Sequence, residues 1–199
     1  SDYVDGGGRL LVMAGPTEES GSLSTLYGLV EPYGVTVVDG IVVEGDREHY
    51  AFQAPFALLP DMAESDITSS LMEENYYPIL ALSQGMTVDT GAASGATVTE
   101  LLTTSDSAFS KLAGYDMSTY EKEDGDLDGP FTLGVSIACD SGGQIIWFSS
   151  SSFLDDVYNA YSSGANVNLA MNALSSLIGE SEAMAIRSKS LNYNYLTIS

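Results

Sequence analysis

Gly6-Gly7-Gly8-Arg9-Leu10-Leu11-Val12-Met13-Ala14-Gly15-Pro16 is the stretch on which the fold turns. Its centre is an unbroken apolar run bounded by glycine and proline, the pattern of a strand buried on both faces, as in a parallel sheet. Ser22 stands where an N-cap belongs. Leu23, Leu26, Tyr27 and Val30 follow it as one apolar stripe on a helix, which Pro32 and Gly34 stop. Val35–Val43 is rich in β-branched residues and reads as a second strand. Strand, helix and strand at this spacing predict a βαβ-like unit.

Outward from there the signals vary. Residues 45–78 mix Pro55, Pro60 and Pro78 with aromatics and read as an irregular insertion, with a short helix near Ile67–Glu74. Ile79–Leu82 is a buried strand candidate, and Asp89–Thr99 reads as a loop before a strand at Leu101–Thr104. Residues 114–130 carry Asp116, Glu121, Glu123, Asp124, Asp126 and Asp128, a solvated acidic loop. Phe131–Ala138 and Gln144–Phe148 flank Asp140-Ser141-Gly142-Gly143, so they form an antiparallel hairpin. A helical turn follows near Phe153–Tyr161. Asn166 then caps a helix with Val167, Ala170, Met171, Leu174 and Ile178 on one face and Gly179 as its stop. Short strands are expected at Ala185–Ile186 and Tyr195–Ile198. The fold class is α/β, a mixed β-sheet with flanking helices.

Composition narrows the partners. The 199 residues include 28 Asp and Glu against 6 Lys and Arg, a formal net charge of −22, with one histidine and one cysteine. Such a surface repels nucleic-acid phosphates and anionic lipid headgroups alike. One cysteine makes neither an internal disulfide nor a thiolate metal cage, and one histidine excludes multi-histidine metal sites. No apolar run reaches the length of a membrane span. Ser1-Asp2-Tyr3-Val4 has neither the basic start nor the apolar run of a signal peptide. The abrupt entry into a strand at Arg9 leads us to expect a piece of a longer protein.

Reactive groups are few. Cys139 and His49 are the available thiol and imidazole, but Cys139 ends a hairpin strand beside Asp140, where a thiolate is disfavoured. Asp140-Ser141-Gly142-Gly143 resembles the serine loop of chymotrypsin-like proteases, yet turn chemistry accounts for all four residues. Asp124-Gly125-Asp126-Leu127-Asp128-Gly129 matches the first half of an EF-hand calcium loop, while Val135 stands where the twelfth-position acid belongs. Glu73-Glu74 and Asp155-Asp156 are ordinary among so many acids, the second pair suiting a helix N-terminus. Ser149–Ser152 lacks a nucleophile elbow, and no phosphate-binding glycine loop occurs. The 12 tyrosines and Trp147 could stack on sugars, though they are scattered and mostly expected in the core or at its rim.

A set of short phrases in fixed order is more informative. Gly7-Gly8-Arg9-Leu10-Leu11-Val12 and Gly15-Pro16 come first, then Tyr33-Gly34-Val35 and Asp39-Gly40-Ile41-Val42-Val43. Asp66-Ile67-Thr68, Leu101–Ser105 and Gly129-Pro130-Phe131 follow. Gly143–Phe148, Ser152-Phe153-Leu154, and Asn166 and Asn172 with Arg187 and Lys189 close the series. Together, from about Gly7 to Leu191, they resemble the extracytoplasmic domain of the gliding-motility-associated GldG-type family, auxiliary components of uncharacterised ABC-type transport systems. Asp66 departs from the histidine expected there.

The resemblance implies a flavodoxin-like or glutamine-amidotransferase-like α/β sandwich without catalytic residues. Residues 1–199 would be a single domain, the C-terminal portion of a larger one. It would sit on the outer face of the bacterial cytoplasmic membrane, tethered by segments outside this chain. Its partners would be the ABC permease and ATPase of the same system. No functional residue carries over, and no catalytic, cofactor or metal residue is expected. A carbohydrate- or small-ligand-binding module using Tyr and Trp in a cleft at the strand ends is the second reading. A hydrolase built on Cys139 or Ser141 with His49 is the third.

Overall fold

A computed structural model describes residues 2–19, 21–92 and 95–178. In chain order the elements are α1 (Asp2–Asp5), β1 (Arg9–Met13), α2 (Ser24–Tyr27), β2 (Val35–Val37), β3 (Ile41–Val43), β4 (Ala57–Leu58) and β5 (Asp61–Met62). They continue with α3 (Ser69–Glu74), β6 (Leu80–Ala81), β7 (Met86–Val88), β8 (Ala96–Thr103), β9 (Phe109–Lys111), β10 (Leu127–Asp128), β11 (Thr132–Cys139), β12 (Gln144–Phe148), α4 (Asp156–Tyr161) and α5 (Ala165–Ile178). Gly179, Ala185–Ile186, Arg187, Lys189 and Tyr195–Ile198 lie outside the described residues.

The fold is mixed α/β. A seven-stranded sheet runs β1-β12-β11, and the far edge of β11 then forks. One branch is β8, which pairs along β11 from Cys139 to Thr132 and carries β5 on its own outer edge. The other is β7, which meets β11 at Thr132 and carries β2. The predicted hairpin is present, with Gly134↔Phe148 through Ala138↔Gln144 in antiparallel register. Among the described strands of this sheet, parallel pairing is confined to β1 and β12, Arg9↔Gln144 to Met13↔Phe148.

That pairing corrects the opening expectation. The strand after β1 does not return beside it, so no βαβ unit forms. Val35–Val43 is two strands, because Asp39-Gly40 turns the chain out of the main sheet and β3 joins β9 and β10 in a second one. The intervening helix is a single turn, and Ser22 Oγ meets Thr17 Oγ1 at 2.7 Å rather than capping it. Gly34 does stop the segment. It holds φ +79°, and a Cβ there would lie 2.2 Å from the Asp89 carbonyl oxygen. The loop expected at Asp89–Thr99 ends earlier, at Ala96, where β8 begins.

The apolar runs alternate between two cores, one on each face of the sheet. Leu11, Met13, Leu133, Ile146 and Phe148 face a core closed by Leu71 of α3 and by Leu169, Ala173 and Leu177 of α5. Leu10, Val12, Val135, Ile137, Ile145 and Trp147 face a core closed by Val4, Leu23, Leu26, Val30 and Tyr33. Both faces of β1 are therefore covered, although as an edge strand it is half-buried. Arg9 donates from Nη1 to the Leu177 carbonyl, a cation at the negative end of α5.

Asn166 does not cap α5. Its fully buried amide reaches across to the chain entering β6, accepting from Ile79 N at 2.8 Å and donating to Ile79 O at 2.9 Å and Phe153 O at 2.6 Å. Asn172 donates to Ile67 O at 2.9 Å and Ser70 Oγ at 3.0 Å, fastening α3. Asp155 does precede the first turn of α4, as expected of that acidic pair.

Candidate functional site

The residues with reactive chemistry are dispersed. His49 lies in a short 3₁₀ turn, with Nδ1 3.2 Å from Asp46 and Nε2 3.5 Å from Asp61. Asp61 pairs with Thr103 at one end of β8, whereas Cys139 pairs with Ala96 at the other. Those ends are about 23 Å apart along the extended strand. Ser141 Oγ is turned to the Val4 carbonyl at 3.3 Å. Neither Cys139 nor Ser141 has His49 as a base, so the hydrolase built on these side chains is not assembled.

The acidic loop has another use for its carboxylates. Lys111 is fully buried, and its ammonium donates to Glu121 O at 2.9 Å, meets Asp126 Oδ2 at 3.1 Å and donates to Glu123 Oε2. Lys122 pairs with Asp128. The Asp126 carboxylate also accepts from Leu112 N at 3.1 Å and Glu123 N at 2.9 Å. Two acids of the EF-hand-like stretch thus hold ammonium groups of the chain itself. Burial pulls the Lys111 pKa down, but the carboxylates of Glu123 and Asp126 outweigh it and raise it. Burial pushes the Asp126 carboxyl up, and the two N–H groups and the ammonium hold it below its ordinary value.

Trp147 is buried in the second core against Tyr27, their ring centroids 6.0 Å apart, and is not available to a ligand. Tyr27 is available. It lines a cleft of about 890 Å³ beyond the carboxyl end of β1. This is where ligands enter open α/β sheets, because the chain leaves the strands there and frames a crevice with its loops.

Five stretches of chain build the cleft, one of them Gly21, Ser24 and Tyr27 at α2. Pro16–Glu18 leave β1, the Asp39-Gly40 turn joins β2 to β3, Gln84 follows β6, and Leu112–Asp116 follow β9. Tyr27 donates its hydroxyl to Gln84 Oε1 at 2.6 Å, and Gln84 N donates to Ser149 O at 2.9 Å. Gln84 is thereby held through its side chain by Tyr27 and through its backbone by Ser149. Tyr115 donates to Pro16 O at 3.1 Å and closes the cleft from the opposite wall. Burial raises the pKa of Tyr27, with Asp39 adding to it, and burial together with Glu18 raises that of Tyr115. Both hydroxyls are donors at neutral pH.

Glu18, Asp39 and Asp116 bring three carboxylates to the lining, and no lysine, arginine or histidine lines it among the described residues. The arrangement is rich in acceptors, contains two phenol rings and repels anions. Sequence reasoning missed this grouping. Asp39-Gly40 was the available signal, a turn dipeptide inside a run otherwise read as one strand.

No protein-family model and no curated protein sequence matches the chain. Among solved structures it is similar to the mmIFT52 N-terminal domain, with 18% identity and a TM-score of 0.59. The similarity covers 90% of this chain and 69% of that one. At that identity the likeness speaks for the fold, a mixed α/β architecture common to both.

Proposed function

We propose that the chain is a non-enzymatic binding domain that holds a small, uncharged, polyhydroxylated ligand in the cleft at the end of β1. We place it as an extracytoplasmic accessory domain of an ABC-type transport system, beside the permease and ATPase. The observation that carries the binding half is the lining: three carboxylates, an amide held by Tyr27 and two protonated tyrosines, with no lysine, arginine or histidine among the described residues. Carboxylates accept strongly from neutral hydroxyls, and a base-free acidic wall rejects phosphate or carboxylate ligands. The ordered GldG-type phrases support the transport half.

Calorimetric titration with a panel of neutral mono- and oligosaccharides tests the binding half. The expected result is saturable binding that falls about 10-fold or more in Asp39→Asn, the loss of one charge-assisted hydrogen bond of about 1.5 kcal/mol or more. Tighter binding of anionic ligands, or no heat with any sugar, overturns it. Affinity capture of the permease from native membranes with the tagged full-length protein tests the transport half. A sugar-binding chain that captures no permease is a free-standing carbohydrate module instead.

A further inference from the structure

A second depression, where the chain's irregular middle meets the end of α4, has a different chemistry. It encloses about 330 Å³, and Phe52, Tyr76, Tyr77 and Tyr161 line it. Soluble proteins usually cover such rings, yet these four are 37% to 63% exposed. Phe52 and Tyr161 touch, with centroids 4.5 Å apart and planes at 52°. They come from residues more than a hundred positions apart, so tertiary structure gathers them here.

The backbone around this depression is held in an unfavourable form. Phe52, Gln53, Asn75 and Ser163 have φ of 57°, 58°, 57° and 55°, four of the five left-handed non-glycine residues described. An L-residue with a Cβ resists that region, an aromatic one especially, and such strain gathers at functional positions. Here the left-handed turn at Phe52 accompanies a ring that lies open to solvent against Tyr161.

We infer that this depression is a site for a quaternary ammonium group, of the trimethylammonium class, held by cation–π contact. The faces of phenyl and phenol rings attract a cation, most strongly one with little hydration to lose. The lining contains no charged side chain, so nothing in it rewards a compact ammonium or a carboxylate. Its polar groups are Asn75, Ser162, Ser163 and three phenol hydroxyls, and the Ser162 hydroxyl is already engaged within the chain. Ser162 donates to Asn159 O at 3.1 Å and accepts from Asn166 N at 3.3 Å. Acids stand near by in the chain instead: Glu73-Glu74 end the helix two residues before Tyr76. With the net charge of −22 they draw cations toward the depression. The chain makes the same type of contact nearby, where the Arg47 guanidinium lies 4.7 Å over the Tyr50 ring.

The experiment compares choline with its neutral isostere 3,3-dimethyl-1-butanol on the full chain, at matched sodium chloride, following the ring resonances of labelled Phe and Tyr. Choline is expected to shift the Phe52 and Tyr161 rings with an affinity at least about 10-fold above the isostere. Phe52→Gly relieves the left-handed strain, so it should raise the melting temperature while weakening choline about 10-fold. Tyr161→Leu should weaken choline to a similar degree, and Asp39→Asn should leave it unchanged. Equal affinity for the isostere reduces the site to a plain apolar hollow. Ring shifts with a neutral monosaccharide but not with choline make it a sugar site, and no shift with either removes it. Each of these three results overturns the inference.

Discussion

Asn166 concentrates much structural consequence in one side chain. Its amide satisfies both the N–H and the carbonyl of Ile79, and the carbonyl of Phe153, with no water-accessible alternative. Asn166→Ala leaves one buried backbone donor and two acceptors orphaned, each costing about 1–3 kcal/mol. The expected loss is about 3–4 kcal/mol, seen as a fall in melting temperature of roughly 10 °C. A loss below about 1 kcal/mol would mean that water replaces the amide. Glu44 has a comparable role elsewhere. It is almost fully buried and accepts from Asp46 N at 3.1 Å, Ser105 N at 3.2 Å and Ser105 Oγ at 2.6 Å, tying the end of β3 to the loop before β9.

At the scale of elements, the acidic loop and the cleft are one mechanical unit. Asp126 holds Lys111 on one side and the N–H of Leu112 on the other, and Leu112–Asp116 are a wall of the cleft. The lowered pKa of Asp126 stabilises the fold above the ordinary carboxylate value of about 3.9, and that contribution is lost as pH falls through the lowered value. The raised pKa of Lys111 does the converse. Its contribution is complete below about 10.4 and is lost as pH rises through the raised value. Protease cleavage within residues 112–126 should therefore be slow near neutrality and accelerate at both extremes. Asp126→Asn should remove the acid limb of that profile, leaving cleavage already fast at pH 7. A profile flat from pH 3 to 11 in the native chain contradicts this coupling.

The same scale shows what the sequence could and could not disclose. The β11–β12 hairpin was legible because its turn residues and apolar alternation lie within 17 consecutive positions. The helix at α5 was legible in its extent but not in its face: Ala165, Leu169, Ala170, Ala173 and Leu177 are buried, whereas Val167 of the expected stripe is exposed. The role of Asn166 was not legible either, because its partners Ile79 and Phe153 are distant or non-helical. β7 and β9 escaped notice as three-residue strands too short to show a period. β1 was read as a strand with the wrong neighbour, since its partner comes from the far end of the chain. The cleft was invisible for the same reason: Tyr27 and Gln84, or Pro16 and Tyr115, are brought together by folding and not by spacing.

For the whole molecule, the shortage of bases goes further than counting shows. Of the four described, Arg9 caps α5, Arg47 lies over Tyr50, and Lys111 and Lys122 hold the acidic loop. Each is engaged within the chain, so among the described residues the outer surface is left to the acids. The folded state then repels itself, and salt should relieve it. Raising sodium chloride from 10 to 150 mM shortens the screening length from about 30 to about 8 Å. We expect the melting temperature to rise by about 3 °C or more, roughly 1 kcal/mol at this size. A fall would show that the internal ion pairs outweigh the surface repulsion.

The parallel pair β1–β12 sets a timetable for synthesis. Arg9 emerges from the ribosome long before its partner Gln144, with about 135 residues between them. At about 5–20 residues per second the wait is roughly 7 to 27 seconds. Through that interval Leu10, Leu11, Val12 and Met13 form an apolar ribbon with neither face nor edge covered, open to chaperones and to neighbouring nascent chains. The hairpin, made last, must then admit β1 to its free side before α5 can close over the sheet.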